Sequence, residues 1–200
     1  MIALNQIVIY YYKGLTMRIV RILIILFSLV LTSCSFHDNI ELTEKYFKVY
    51  ENGEYLEIEE LLSDSLTIID GDYSKTYTTS EFYEFFQWDS VFKPKINISE
   101  LREKNNDIYI TVTTYSERLE FLRHNPLITN QKLTFDNGKI CTIEIMDYEN
   151  FDLYQWSSRR DTLVKWIETY QPELSGFNYD MTKNGAENYL KSIELYEDKE

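Results

Sequence analysis

Apolar positions along the chain change period twice, and the changes divide it into helices, then strands, then helices. Leu42, Tyr46, Phe47, Val49 and Tyr50 recur at helical spacing. Asp38 with Glu41 reads as a capping box before them, and Asn52-Gly53 as the stop. Tyr55, Ile58, Leu61 and Leu62 form a second, shorter helical stripe. Leu66 to Ile69 then reads as a short strand, Asp70-Gly71-Asp72 as a turn, and Tyr73 to Thr78 as its partner. Thr78 with Glu81 repeats the capping signal and opens a helix presenting Phe82, Phe85 and Phe86, with its end near Asp89.

From Lys95 the period becomes two. Ile96 and Ile98, then Ile108, Ile110 and Val112, then Leu133 and Phe135, then Cys141, Ile143 and Ile145 predict four long antiparallel strands with one covered face. Turns are marked by Asn105-Asn106-Asp107, by Arg123 to Pro126, and by Asp136-Asn137-Gly138, a hairpin signal. Beyond the strands, Leu153, Trp156, Leu163, Ile167 and Tyr170 give an amphipathic helix ending before Pro172, and Ala186, Tyr189, Leu190 and Ile193 give another. The fold class is α+β: helices, a curved antiparallel meander, and a C-terminal helical extension over residues 149–200.

The N-terminal residues follow a different logic. A first apolar patch, Ile7 to Tyr12, precedes Met17-Arg18-Ile19-Val20-Arg21, a short basic start that points to Met17 as the true initiator. Ile22 to Leu31 is apolar except for Ser28, about half of the roughly 20 residues needed to span a bilayer. It leads into Leu31-Thr32-Ser33-Cys34, which closely resembles the lipobox of bacterial lipoproteins. The resemblance implies a signal peptide over residues 1–33 and a diacylglycerol on the Cys34 thiol. Palmitate-type acylation of the new N-terminal amine and a short tether over residues 34–39 are further expectations. Such a chain is expected at a membrane of the bacterial cell envelope, held by lipid at the outer membrane or cell surface rather than the inner membrane.

Charge narrows the partners. The chain carries 20 basic and 33 acidic residues. Removing residues 1–33, with Lys13, Arg18 and Arg21, leaves 17 basic against 33 acidic, a net −16. Nucleic acid is therefore no partner, and a polybasic membrane contact is excluded. The only cysteines are Cys34 and Cys141, so no disulfide framework exists, and Cys141 is expected as a buried structural thiol sharing a sheet face with Ile143 and Ile145. His37 and His124 form no histidine-rich metal site, and neither a Gly-x-Ser-x-Gly elbow nor a phosphate-cradling loop occurs. Neither metal nor cofactor is expected. Arg159-Arg160 is expected to pair with Asp161 or Glu168.

One more resemblance rests on Glu44-Lys45-Tyr46-Phe47-Lys48-Val49-Tyr50-Glu51-Asn52-Gly53-Glu54 and on Leu62 to Asp70. With the order of elements, these stretches resemble the nuclear transport factor 2-like fold, a cone shared by ketosteroid isomerases and polyketide cyclases of the SnoaL-like type, over residues 40–148. In ketosteroid isomerases a tyrosine on the first helix and an aspartate at the end of the first strand carry the reaction, and Tyr46 and Asp70 fall on those positions. The third member there is a protonated acid, where this chain has Gln131. The resemblance implies an apolar cone with Asp70 as general base and with Tyr46 and Gln131 as donors to a developing enolate oxygen. The neutral amide favours a non-catalytic reading, in which the cone binds a small apolar ligand or a protein partner. An isomerase- or cyclase-like enzyme is the alternative.

Overall fold

The computed structural model describes residues 39–198, and these lie within one compact unit. The expected signal peptide, Cys34 and the tether up to Asp38 lie outside the described residues. Helix α1 (Asn39–Asn52) and α2 (Tyr55–Leu61) form the expected helical hairpin. They are followed by β1 (Leu62–Asp70), β2 (Tyr73–Thr78) and α3 (Thr79–Ser90). The Thr78–Glu81 box is present in both directions: the Thr78 side chain accepts from the Glu81 N–H, and Glu81 accepts from the Thr78 N–H.

Four long strands follow: β3 (Lys95–Lys104), β4 (Asp107–Tyr115), β5 (Leu127–Asp136) and β6 (Lys139–Tyr148). Asn105-Asn106 and Asn137-Gly138 turn the chain with both residues at positive φ, the twist that two-residue hairpins need. Between β4 and β5 lies a short helix, α4 (Glu117–Phe121), where the sequence indicated only a turn further on. The sheet order is β2-β1-β6-β5-β4-β3. Its pairings are antiparallel except one: β1 runs parallel to β6, so the sheet is mixed rather than wholly antiparallel. Parallel pairing joins the first hairpin to the last strand of the meander, which no local signal could reveal.

Alternation along the strands puts Leu66, Ile108, Ile110, Val112, Leu133, Ile140 and Ile143 into a main core. Tyr46, Phe47 and Val49 from α1 and Phe82 and Phe86 from α3 complete it. A register shift between Thr134 and Phe135 breaks the expected run of Cys141, Ile143 and Ile145. Ile140 and Ile143 become the inward pair, and Cys141 is half-buried, its thiol donating to the Thr134 carbonyl oxygen at 3.3 Å.

The C-terminal part is α5 (Leu153–Tyr170), a 3-10 turn (Pro172–Leu174) and α6 (Lys183–Glu197). Leu163, Ile167, Ala186, Tyr189 and Ile193 build a second core with Trp88 and Phe92 at the end of α3 and Phe121 and Leu122 of the α4 region. The extension thus docks on the domain's own aromatic residues. The outer ends of the α5 stripe, Leu153 and Tyr170, stay exposed. Arg160 pairs with Asp161 as expected, at 2.8 Å. Arg159 instead donates to the Phe121 carbonyl at 3.0 Å and lies over its ring. Among the described residues no helix is long and apolar enough to cross a membrane.

Candidate functional site

Two polar clusters stand against the main core, one on the sheet and one on the helices. On the sheet, Asp70 follows the inward positions Leu66 and Ile68 by the two-residue period of β1, and Gln131 lies between inward Thr129 and Leu133 on β5. Asp70 and Gln131 both pair with Ile145 of β6, from opposite sides. The two side chains therefore share one transverse row, two strand spacings or about 10 Å apart. Ile110 continues the row on β4.

Tyr148, at the end of β6, donates its hydroxyl to Asp70 Oδ2 at 2.8 Å. Partial burial, and then the carboxylate it binds, raise the Tyr148 pKa well above a free phenol, so it remains a donor at neutral pH. Gln131 gives an amide N–H to the Thr129 hydroxyl at 2.9 Å. Both polar members of the row are thus already engaged by neighbours on the same sheet.

Tyr46 comes from the helical side. Its ring meets Phe47 at 5.2 Å and Tyr50 at 5.9 Å, and burial, with Asp89 adding to it, raises its pKa. Tyr50, one turn on, donates its hydroxyl to Asp89 Oδ2 at 3.0 Å. Asp89 is half-buried, and burial raises its pKa, while the Tyr50 hydrogen bond and the positive Arg118 pull the other way. The structure thus sets Asp70 and Gln131 in one row and places Tyr46 with Tyr50 and Asp89; the hydroxyl on Asp70 belongs to Tyr148.

Sequence reading passed over Asp89, Tyr50, Arg118 and Tyr148. A signal existed for two of them. Asp89 is three residues after Phe86 and seven after Phe82, on the buried face of α3, and Tyr50 is four after Tyr46. A carboxylate on an apolar stripe is the informative exception to burial rules. Tyr148 offered none, because its partner lies 78 residues away.

Both ring nitrogens of His124 are engaged by the backbone. Its Nε2 accepts from the Asp152 N–H at 2.9 Å, which leaves Nδ1 as the donor to the Leu122 carbonyl at 2.9 Å. The ring ties the start of β5 to the start of α5.

Two open grooves lie outside these clusters. One, of about 300 Å³, is lined by residues including Tyr50, Asn52, Lys93 and Lys95; the other, of about 810 Å³, by Tyr55, Leu56 and Tyr83 among others. Neither is lined by Asp70, Tyr46 or Gln131.

No protein-family model matches the sequence, and no curated protein does. Solved structures do. A nuclear transport factor 2-like protein of unknown function from Cytophaga hutchinsonii is 9% identical with a TM-score of 0.44, over 54% of this chain and 87% of that one. A SnoaL-like polyketide cyclase assignment from Shewanella putrefaciens is 12% identical with a TM-score of 0.47, over 66% and 92%. A ketosteroid isomerase assignment from Kribbella flavida is 16% identical with a TM-score of 0.45, over 56% and 81%. With a helical hairpin and a third helix packed on one face of a curved sheet, and with β1 joined in parallel to the end of a four-stranded meander, the domain has the α+β arrangement that the nuclear transport factor 2-like resemblance implied.

Proposed function

We propose that this chain is an exported, lipid-anchored protein of the cell envelope whose domain binds a small, largely apolar molecule by its polar end, without turning it over. The observation that carries this reading is the engagement of Asp70 by Tyr148 at 2.8 Å. The Tyr148 hydroxyl occupies Asp70 Oδ2, so one of the two oxygens that a general base would use is already committed to a neighbour. Gln131 cannot offer an enolate the strong hydrogen bond of a protonated acid, and one of its amide protons is held by Thr129. Around these groups the row is apolar, with Ile145 and Ile110 beside them. Apolar walls with few fixed polar groups suit orientation of a ligand. Retention at a membrane is supported by the lipobox-like run Leu31-Thr32-Ser33-Cys34.

The test uses protein from Ser35 onward, titrated with unsaturated ketosteroids and related ketones while binding and isomerisation are followed together. Saturable binding that weakens in Asp70→Asn, with no isomerisation above background, is the expected result. Isomerisation that disappears in Asp70→Asn would establish the isomerase-like alternative.

A further inference from the structure

The seam between α3, α4 and the C-terminal helices holds three buried polar atoms with no hydrogen-bond partner: Trp88 Nε1, Arg118 Nε and the Tyr189 hydroxyl. They belong to one cluster. The Arg118 guanidinium lies 5.1 Å from the Trp88 ring and 5.6 Å from the Tyr189 ring, with Trp156 at 4.9 Å and Phe92 at 5.9 Å. Trp88 is 7% exposed and Tyr189 2%, so bulk water does not serve them.

An indole N–H and a guanidinium N–H can only donate, and a hydroxyl that accepts from both still has its own O–H to place. The cluster therefore cannot satisfy itself, and buried groups left unmade are costly enough to be rare. What it lacks is an acceptor. Among the described residues Arg118 forms no salt bridge, and the carboxylate whose field it feels, Asp89, is already bound by Tyr50. A negative acceptor fits this site better than a neutral one. Four aromatic walls disfavour a multiply charged, strongly hydrated anion, because the desolvation cost grows steeply with charge. The acidic chain, at net −13, disfavours it further.

We infer that Arg118, Trp88 Nε1 and the Tyr189 hydroxyl form a binding site for a small organic monocarboxylate, separate from the sheet cluster around Asp70. The carboxylate meets the guanidinium and the two flanking donors, and its hydrocarbon part lies among the rings of Trp88, Phe92, Trp156 and Tyr189. This inference does not depend on the ligand proposed for the sheet.

The test is calorimetric titration of the protein with acetate, butyrate, hexanoate and inorganic phosphate. The expected result is saturable binding of the carboxylates that tightens from acetate to hexanoate, and none of phosphate. Tyr189→Phe keeps the ring and removes the donor, Trp88→Phe removes the indole N–H and leaves a smaller aromatic ring, and each should weaken hexanoate about tenfold or more, the usual worth of a hydrogen bond to a charged group. Without ligand, Tyr189→Phe should melt at or above the wild-type temperature, since it removes a lone buried hydroxyl, and the rise in Tm caused by hexanoate should be reduced. Absence of saturable carboxylate binding would mean that the cluster holds only water and would overturn the proposal. Phosphate binding more tightly than hexanoate, or unchanged hexanoate affinity in both variants, would do the same.

Discussion

Tyr148 and Asp70, 78 residues apart, meet through a 2.8 Å hydrogen bond between the ends of β6 and β1. The parallel pairing of those strands makes this meeting possible, since Asp70 lies beside Ile145 and Tyr148 follows by three residues. Tyr148→Phe removes the donor and leaves the ring against Phe151. It should destabilise the domain by about 1–2 kcal/mol, below the roughly 1.5–3 kcal/mol of a hydrogen bond to a charged group because Asp70 and Tyr148 are only partly buried. Urea unfolding would show a lower midpoint at an unchanged slope; an unchanged midpoint would mean that the bond adds nothing to stability.

Asp89 couples the stability of the domain to pH. Burial raises its folded pKa above the ordinary 3.8, so between the two values the folded state binds more protons than the unfolded one. Ionisation of Asp89 therefore costs stability as pH rises through the folded value, and that cost is absent below the ordinary one. Asp89→Asn keeps an oxygen for Tyr50 and should melt above wild type at pH 7. The gap should close as pH falls toward the ordinary carboxylate value, as thermal melts across pH 3 to 7 would record. A gap independent of pH would sink this account of Asp89.

Leu163 of α5 is fully buried in the second core. Leu163→Ala should cost about 2–5 kcal/mol. Because that core includes Trp88 and Phe92 from the end of α3, the extension and the cone should unfold in one transition. Far-ultraviolet dichroism and tryptophan fluorescence should give coincident curves in both proteins, whereas an early, separate loss of helix would show that the extension melts by itself.

Cys34→Ala tests the anchor. In a bacterial host the wild-type chain should incorporate labelled fatty acid and partition with membranes, and the variant should incorporate none and appear unprocessed or soluble. Unchanged membrane partition of the variant would remove the lipid anchor from the proposed function.

Local residue order was enough for most of the elements. The Thr78–Glu81 box opens α3, Asn137-Gly138 closes the last hairpin, and the period-two runs from Ile96 to Ile145 become β3 to β6, because caps, turns and pleats depend on neighbours a few residues apart. Asp70 and Gln131 could be nominated by their place on those strands, and Tyr46 by its place on the first helical stripe. The lipobox-like run around Cys34 is likewise read from contiguous residues.

Tertiary structure decided the rest. Parallel pairing of β1 with β6 joins segments separated by more than 60 residues, and it alone brings Tyr148 to Asp70 and sets Gln131 in the same row. A register shift near Cys141 exchanged its inward place for that of Ile140. Docking of α5 and α6 turned Trp88, Arg118 and Tyr189 from an ordinary tryptophan, a helix arginine and a stripe tyrosine into one enclosed cluster. Burial of a polar atom depends on what packs over it, and that covering comes from distant parts of the chain whose approach is set by the whole core rather than by the residues beside it.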